Sequence, residues 1–208
     1  MSLVSQVFDE STLDSLHGSL AVGHTRYSTT GASTWQNAQP TFRPTNQGAV
    51  ALAHNGNLTN TRALYETLVE RVGDRSKNSK KESASSDTAV MASLLASYSE
   101  LTVEESAMKV LPTLKGAFSL VFMDEHTLYA ARDPQGIRPL VLGRLERGWV
   151  IASETAALDI VGASYVREIE PGEFVAVDEN GLRSSRFAPA EPKGCIFEYV
   201  YLARPDTT

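Results

Sequence analysis

Four stretches of the chain concentrate polar groups able to do chemistry. Gly23-His24-Thr25-Arg26-Tyr27-Ser28-Thr29-Thr30-Gly31 gathers a guanidinium, an imidazole, a phenol and several hydroxyls where there is little to bury. A guanidinium can hold a carboxylate through two parallel hydrogen bonds, so anion capture by Arg26 stands beside a solvated polar turn as a reading. In Leu52-Ala53-His54-Asn55-Gly56-Asn57-Leu58 an Asn-Gly pair follows a predicted strand. A turn is its simplest reading. The same pair can also aim a side-chain amide and an unobstructed backbone N–H at one point, the two donors of an oxyanion hole. Ser85-Ser86-Asp87-Thr88 opens a predicted helix, where Asp87 serves either as an N-cap or as a carboxylate facing a substrate ammonium. Ala131-Arg132-Asp133-Pro134-Gln135-Gly136-Ile137-Arg138-Pro139-Leu140 reads as a tight, ordered hairpin connection.

The elements that must position these groups follow from periodicity. Leu64, Leu68 and Val72 recur every four residues after Asn60, a helix with a stop at Gly73. A second helix, capped by Asp87, carries Val90, Leu94, Leu95, Tyr98 and Leu101. Thr102-Val103-Glu104-Glu105 is a capping-box pattern opening a third, which ends near Pro112. The polar stretch 73–86 between the first two reads as an exposed loop. The second half consists of short Val-, Leu-, Ile- and aromatic-rich runs at 117–124, 127–132, 140–145, 149–153, 173–177 and 181–187, joined by turn residues. Two further strands are expected at 19–26 and 49–54. Short strands joined by tight turns, with the helices grouped in sequence, predict an α+β fold with an antiparallel sheet or sheet pair.

Composition excludes several functions. Nineteen Lys+Arg against 25 Asp+Glu give a net charge of −6 over 208 residues, which opposes non-specific nucleic-acid or anionic-membrane binding. Cys195 is the single cysteine, so no internal disulfide forms and a reducing, cytoplasmic setting is expected. No apolar run reaches membrane-spanning length and the start lacks a signal-peptide pattern. Nucleophile-elbow, zinc-protease and P-loop motifs are missing. The four histidines, His17, His24, His54 and His126, lack metal-ligand spacing.

Taken in order, the four stretches together with Asn37-Ala38-Gln39-Pro40 resemble the class II glutamine amidotransferases. Within that class, Arg132–Leu140, Ile169-Glu170-Pro171-Gly172-Glu173 and the segment from Cys195 to Asp206 resemble the amidophosphoribosyltransferase family. The resemblance covers nearly the whole chain. It implies an N-terminal-nucleophile hydrolase fold, a four-layer αββα sandwich, here missing its first strands. It implies glutamine as substrate, with Arg26 on the α-carboxylate, Asp87 on the α-ammonium, Tyr27 and Thr29 lining the pocket, and Asn55 and Gly56 as the oxyanion hole. Residues 1–194 would be a partial glutaminase domain, and 195–208 the start of the connection to a phosphoribosyltransferase domain. That domain would pass ammonia to phosphoribosyl diphosphate, with magnesium, giving 5-phosphoribosylamine in the first committed step of purine biosynthesis. The full-length enzyme would be a homo-oligomer without nucleic-acid or membrane partners. Cys195 matches an iron–sulfur ligand of some members, although its residue context reads as a quiet core thiol.

The departure from the family lies in the nucleophile, an N-terminal Cys followed by Gly whose α-amino group acts as base. The chain begins Met1-Ser2-Leu3-Val4 and contains no Cys-Gly pair. As given it is expected to be an inactive internal piece of such an enzyme. The alternatives are a nucleophile-free homologue that binds or senses glutamine, and the glutaminase domain of another class II amidotransferase.

Overall fold

The computed structural model describes residues 4–25, 38–73 and 86–207. The expectations for Arg26, Tyr27 and Thr29, and for most of the loop at 73–86, fall outside them. In chain order the elements are α1 (Val4–Val7), α2 (Glu10–Ser15), β1 (Thr41–Thr45), β2 (Gly48–Leu58), α3 (Thr61–Val72), α4 (Asp87–Ser97) and α5 (Val103–Val110). Then follow β3 (Gly116–Met123), β4 (Leu128–Arg132), β5 (Val141–Leu145), β6 (Gly148–Ala152), α6 (Thr155–Ile160), β7 (Ser164–Glu168), β8 (Glu173–Asp178) and β9 (Gly181–Arg186). A π-helical turn occupies Glu198–Leu202.

The strands form a six-stranded sheet, β1-β2-β3-β4-β8-β9, and a three-stranded sheet, β6-β5-β7, with antiparallel pairing throughout. Side chains alternate across a strand, and here both faces are buried. On β4 and β8, Tyr129, Ala131, Phe174 and Ala176 face one cluster, which holds Leu64 and Leu68 of α3, Met91, Leu94 and Leu95 of α4, and Val103 and Ala107 of α5. Their neighbours Leu128, Ala130, Val175 and Val177 face another, against Trp149 and Ile151 of β6. The opposite side of the small sheet packs Val141, Val150 and Ala152 on Leu158 of α6. Helices, large sheet, small sheet and helix therefore stack as four layers, the expected αββα sandwich. Among the described residues no helix is long and apolar enough to cross a membrane.

Several local expectations need correction. Residues 19–25 form no strand, so the one expected at 19–26 is not present in its described part. Asn60 precedes α3 without capping it through its side chain. Its carboxamide bridges outward instead, donating to the Thr113 carbonyl and accepting from Lys115 N–H, which ties α3 to the end of the α5 region. Ser86 rather than Asp87 caps α4, its hydroxyl accepting from Ala89 N–H at 3.2 Å. Asp87 moves to the first helical position, which frees its carboxylate to reach β2. Asn55-Gly56 is not a turn, because β2 continues through it to Leu58. The connection at 133–139 is not a hairpin either: β4 and β5 lie in different sheets, so it carries the chain from one sheet to the other.

Candidate functional site

The site is built on the part of β2 that outruns its neighbour. β1 pairs with β2 only over Gly48–Leu52, whereas β3 stays paired as far as Leu58. In an antiparallel strand alternate residues present their N–H groups to the same edge. Opposite Gly56, Phe118 has both backbone groups turned to Asp133, donating to its carboxylate and accepting from its N–H. Gly56 therefore faces the edge that, among the described residues, no strand pairs beyond Leu52, rather than β3. The flanking groups on that edge are taken: His54 N–H donates to Gln39 Oε1 at 2.6 Å and Leu58 N–H to Asp87 Oδ2 at 3.2 Å. The Gly56 N–H projects between them.

Glycine is required at this point. Gly56 has φ of 141°, outside the range L side chains adopt readily, and a Cβ there would collide with the Ala117 carbonyl. The same Cβ would stand 3.0 Å from His54 Nε2. His54 is only 4% exposed, and among the described residues its Nε2 has no hydrogen-bond partner. Its Nδ1 lies 3.5 Å from Asp87 Oδ2.

Asp87 is held from several directions. Besides Leu58 N–H and His54, Thr88 N–H donates to Oδ1 at 2.8 Å. Burial works against the charge, but the hydrogen bond and charge of His54, with the Leu58 and Thr88 N–H groups, outweigh it and hold the carboxyl below its ordinary range. A half-buried carboxylate that stays ionised suits an ammonium ligand.

Asn55 is reached from the crossover between the sheets. Arg138 Nε donates to Asn55 Oδ1 at 3.2 Å, and Arg138 Nη1 donates to Glu198 Oε2 at 2.6 Å. The crossover is rigid. Asp133, fully buried, accepts from Phe118, Gln135 and Ile137 N–H groups, and Arg132 donates to the Gly136, Arg138 and Ile169 carbonyls. Gly172 N–H braces the loop from the Ile169–Glu173 segment, donating to the Arg132 and Asp133 carbonyls. Burial, with the nearby Glu154 charge, pushes the Glu198 carboxyl above its ordinary range, and the pull of Arg138 and Arg132 does not offset this.

The described residues thus bring Asn55, Gly56 and Asp87 together around one stretch of β2. Gln39, His54, Arg138 and Glu198 have parts that the residue types did not disclose. The only advance signal is that all four sit inside the motifs. Cys195 is partly exposed and outside every core cluster, so it is no core thiol. It is the chain's single cysteine, and no three His, Cys, Asp or Glu gather to hold a metal among the described residues. An iron–sulfur cluster needs several thiolates and these residues supply one, so a cluster in the full-length enzyme would take its other ligands from outside them.

A family model described as the glutamine amidotransferase domain matches residues 24–160. The amidophosphoribosyltransferase of Mycobacterium bovis is 58% identical over 212 residues, covering 100% of this chain and 40% of its own length. That of Synechococcus elongatus is 48% identical, covering 100% of this chain and 42% of its own. The chain therefore spans less than half the length of these relatives. A solved structure of the glutamine phosphoribosylpyrophosphate amidotransferase of B. subtilis, complexed with ADP and GMP, superimposes with a TM-score of 0.85 at 37% identity. The match covers 99% of this chain and 43% of that one.

Proposed function

Because the chain belongs to the glutamine amidotransferase domain family, we propose that it binds L-glutamine across the open edge of β2 and serves the glutaminase step of an amidophosphoribosyltransferase. The observation that carries this reading is the Gly56 N–H, lying between two occupied N–H groups and next in sequence to Asn55, whose side-chain oxygen is held by Arg138. Attack on the side-chain amide of glutamine turns its carbonyl oxygen into an oxyanion, and Asn55 Nδ2 and Gly56 N–H are donors suited to it. Asp87 takes the α-ammonium. Arg26 takes the α-carboxylate, with Tyr27 and Thr29 beside it, by family resemblance. Released ammonia would pass to phosphoribosyl diphosphate, giving 5-phosphoribosylamine. The relatives' names and the fit of the chain over its full length to the B. subtilis enzyme support that acceptor.

Cys195, the single cysteine of these 208 residues, does not match the family's Cys-Gly nucleophile. Cys195 is followed by Ile196 rather than Gly and leads into the π-helical turn. Residues 1–194 act as glutaminase part, and 195–208 as the lead into the acceptor part.

The test is kinetic, in the enzyme that carries these residues. Arg26→Ala and Asp87→Ala should each raise the glutamine KM by about ten-fold or more while ammonia-dependent synthesis survives. Glutamine kinetics that stay unchanged in both variants would remove the assignment.

A further inference from the structure

We infer that Arg138 is a positioning residue for the oxyanion hole, and that Glu198 holds it in place. The inference rests on the reading of Asn55 as an oxyanion donor. A carboxamide has one accepting and one donating end, and an unrestrained Asn side chain can present either. Arg138 Nε occupies the Asn55 oxygen at 3.2 Å, which leaves the amide end to donate. Arg carries donors only, so it enforces this orientation and cannot support the reverse one.

Arg138 is itself fixed at both ends. Its backbone carbonyl accepts from Ser119 Oγ at 3.1 Å and Arg132 Nε at 2.8 Å. Its far end donates to Glu198 at 2.6 Å, and the side chains of this pair are only 18% and 11% exposed. Glu198 belongs to the C-terminal segment, which is pinned separately where Arg204 N–H and Thr207 Oγ1 donate to Glu154. A line of three side chains, Asn55, Arg138 and Glu198, thus ties a donor on β2 to a segment more than a hundred residues later in sequence. Lysine could not replace Arg138, since a single ammonium lacks the fork that spans Asn55 and Glu198.

Glutaminase kinetics of the enzyme carrying these residues separate this inference from the reading beneath it. Asn55→Ala should lower kcat by about 10²- to 10³-fold. If it does not, the oxyanion reading fails whatever Arg138 does. Given that loss, Arg138→Met should lower kcat by about 10- to 100-fold with KM for glutamine changed by less than about three-fold. Arg138→Lys should not restore it, and Arg138→Met added to Asn55→Ala should cause no further loss, because the group it orients is gone. An unchanged kcat in Arg138→Met, a rise in KM alone, or an undiminished effect on the Asn55→Ala background would overturn the inference. Ammonia-dependent synthesis reports folding. Should Arg138→Met lose it, Glu198→Ala is read in its place, with the same fall in kcat at steady KM expected and an unchanged kcat overturning the proposal.

Discussion

At Gly56 two demands coincide, since the backbone needs positive φ and the Ala117 carbonyl leaves no room for a side chain. Gly56→Ala should therefore destabilise the protein by more than about 1 kcal/mol in chemical denaturation and abolish glutamine binding. Asp87 makes a prediction about pH. Its ionised form is favoured by folding, so its contribution is complete above the ordinary carboxyl value of 3.8 and drains away as pH falls through the lower folded value. Asp87→Asn leaves one oxygen where two now accept from Leu58 and Thr88 N–H groups, and should cost about 1–3 kcal/mol near neutrality. The difference between wild type and variant should be flat above about pH 5 and shrink below about pH 4 in acid unfolding curves. A difference that grows on acidification would contradict the assigned sign. Arg138 shows what residue types conceal. Nothing in Arg132–Leu140 singles it out from Arg132, yet Arg132 holds carbonyls of the crossover while Arg138 reaches the site.

Elements with strong periodicity were legible. The α3 pattern of Leu64 and Leu68, the α5 capping box, and the hairpins β3–β4, β5–β6 and β8–β9 follow from spacing and turn residues. What escaped has physical reasons. β1 contains Pro44, which lowers any strand reading, but among the described residues it pairs on one side only, where a missing N–H is tolerated. β7 is largely exposed, so it lacks an apolar alternation to detect. The extension of β2 through Asn55-Gly56 is sustained by β3 and by the Asp87 bond, neither of which is local in sequence. The capping of α4 was misassigned by one residue, because Ser86 and Asp87 have similar capping ability and only tertiary contacts to His54 and Leu58 decide between them. Ser86→Ala should accordingly cost about 1 kcal/mol in a denaturant titration. It should also weaken glutamine binding, since the cap fixes the turn that carries Asp87.

Among the described residues three apolar clusters join the four layers, and the candidate site sits where β1 stops short of the end of β2. Phe122 is central to the cluster between helices and large sheet, with ring centroids 5.0 Å from Tyr129 and 6.3 Å from Phe174. Phe122→Ala should cost about 3–5 kcal/mol in thermal or denaturant unfolding, and a loss below about 1 kcal/mol would mean the layers are less tightly joined than described. The α+β class was foreseeable from helices grouped in one stretch and short strands in the rest, whereas the four layers were implied only by the family resemblance. The path of the crossover between sheets was not, because it depends on the buried Asp133 and its three backbone donors. The central claim is that the open edge of β2 is a glutamine site. Its most direct test is an NMR titration of the ¹⁵N-labelled chain with L-glutamine, following the Gly56 and Leu58 amides. A saturable, single-site shift of the Gly56 amide, weakened by about ten-fold or more in Asp87→Ala, is the predicted result. No saturable shift, or one of equal affinity in Asp87→Ala, would contradict it.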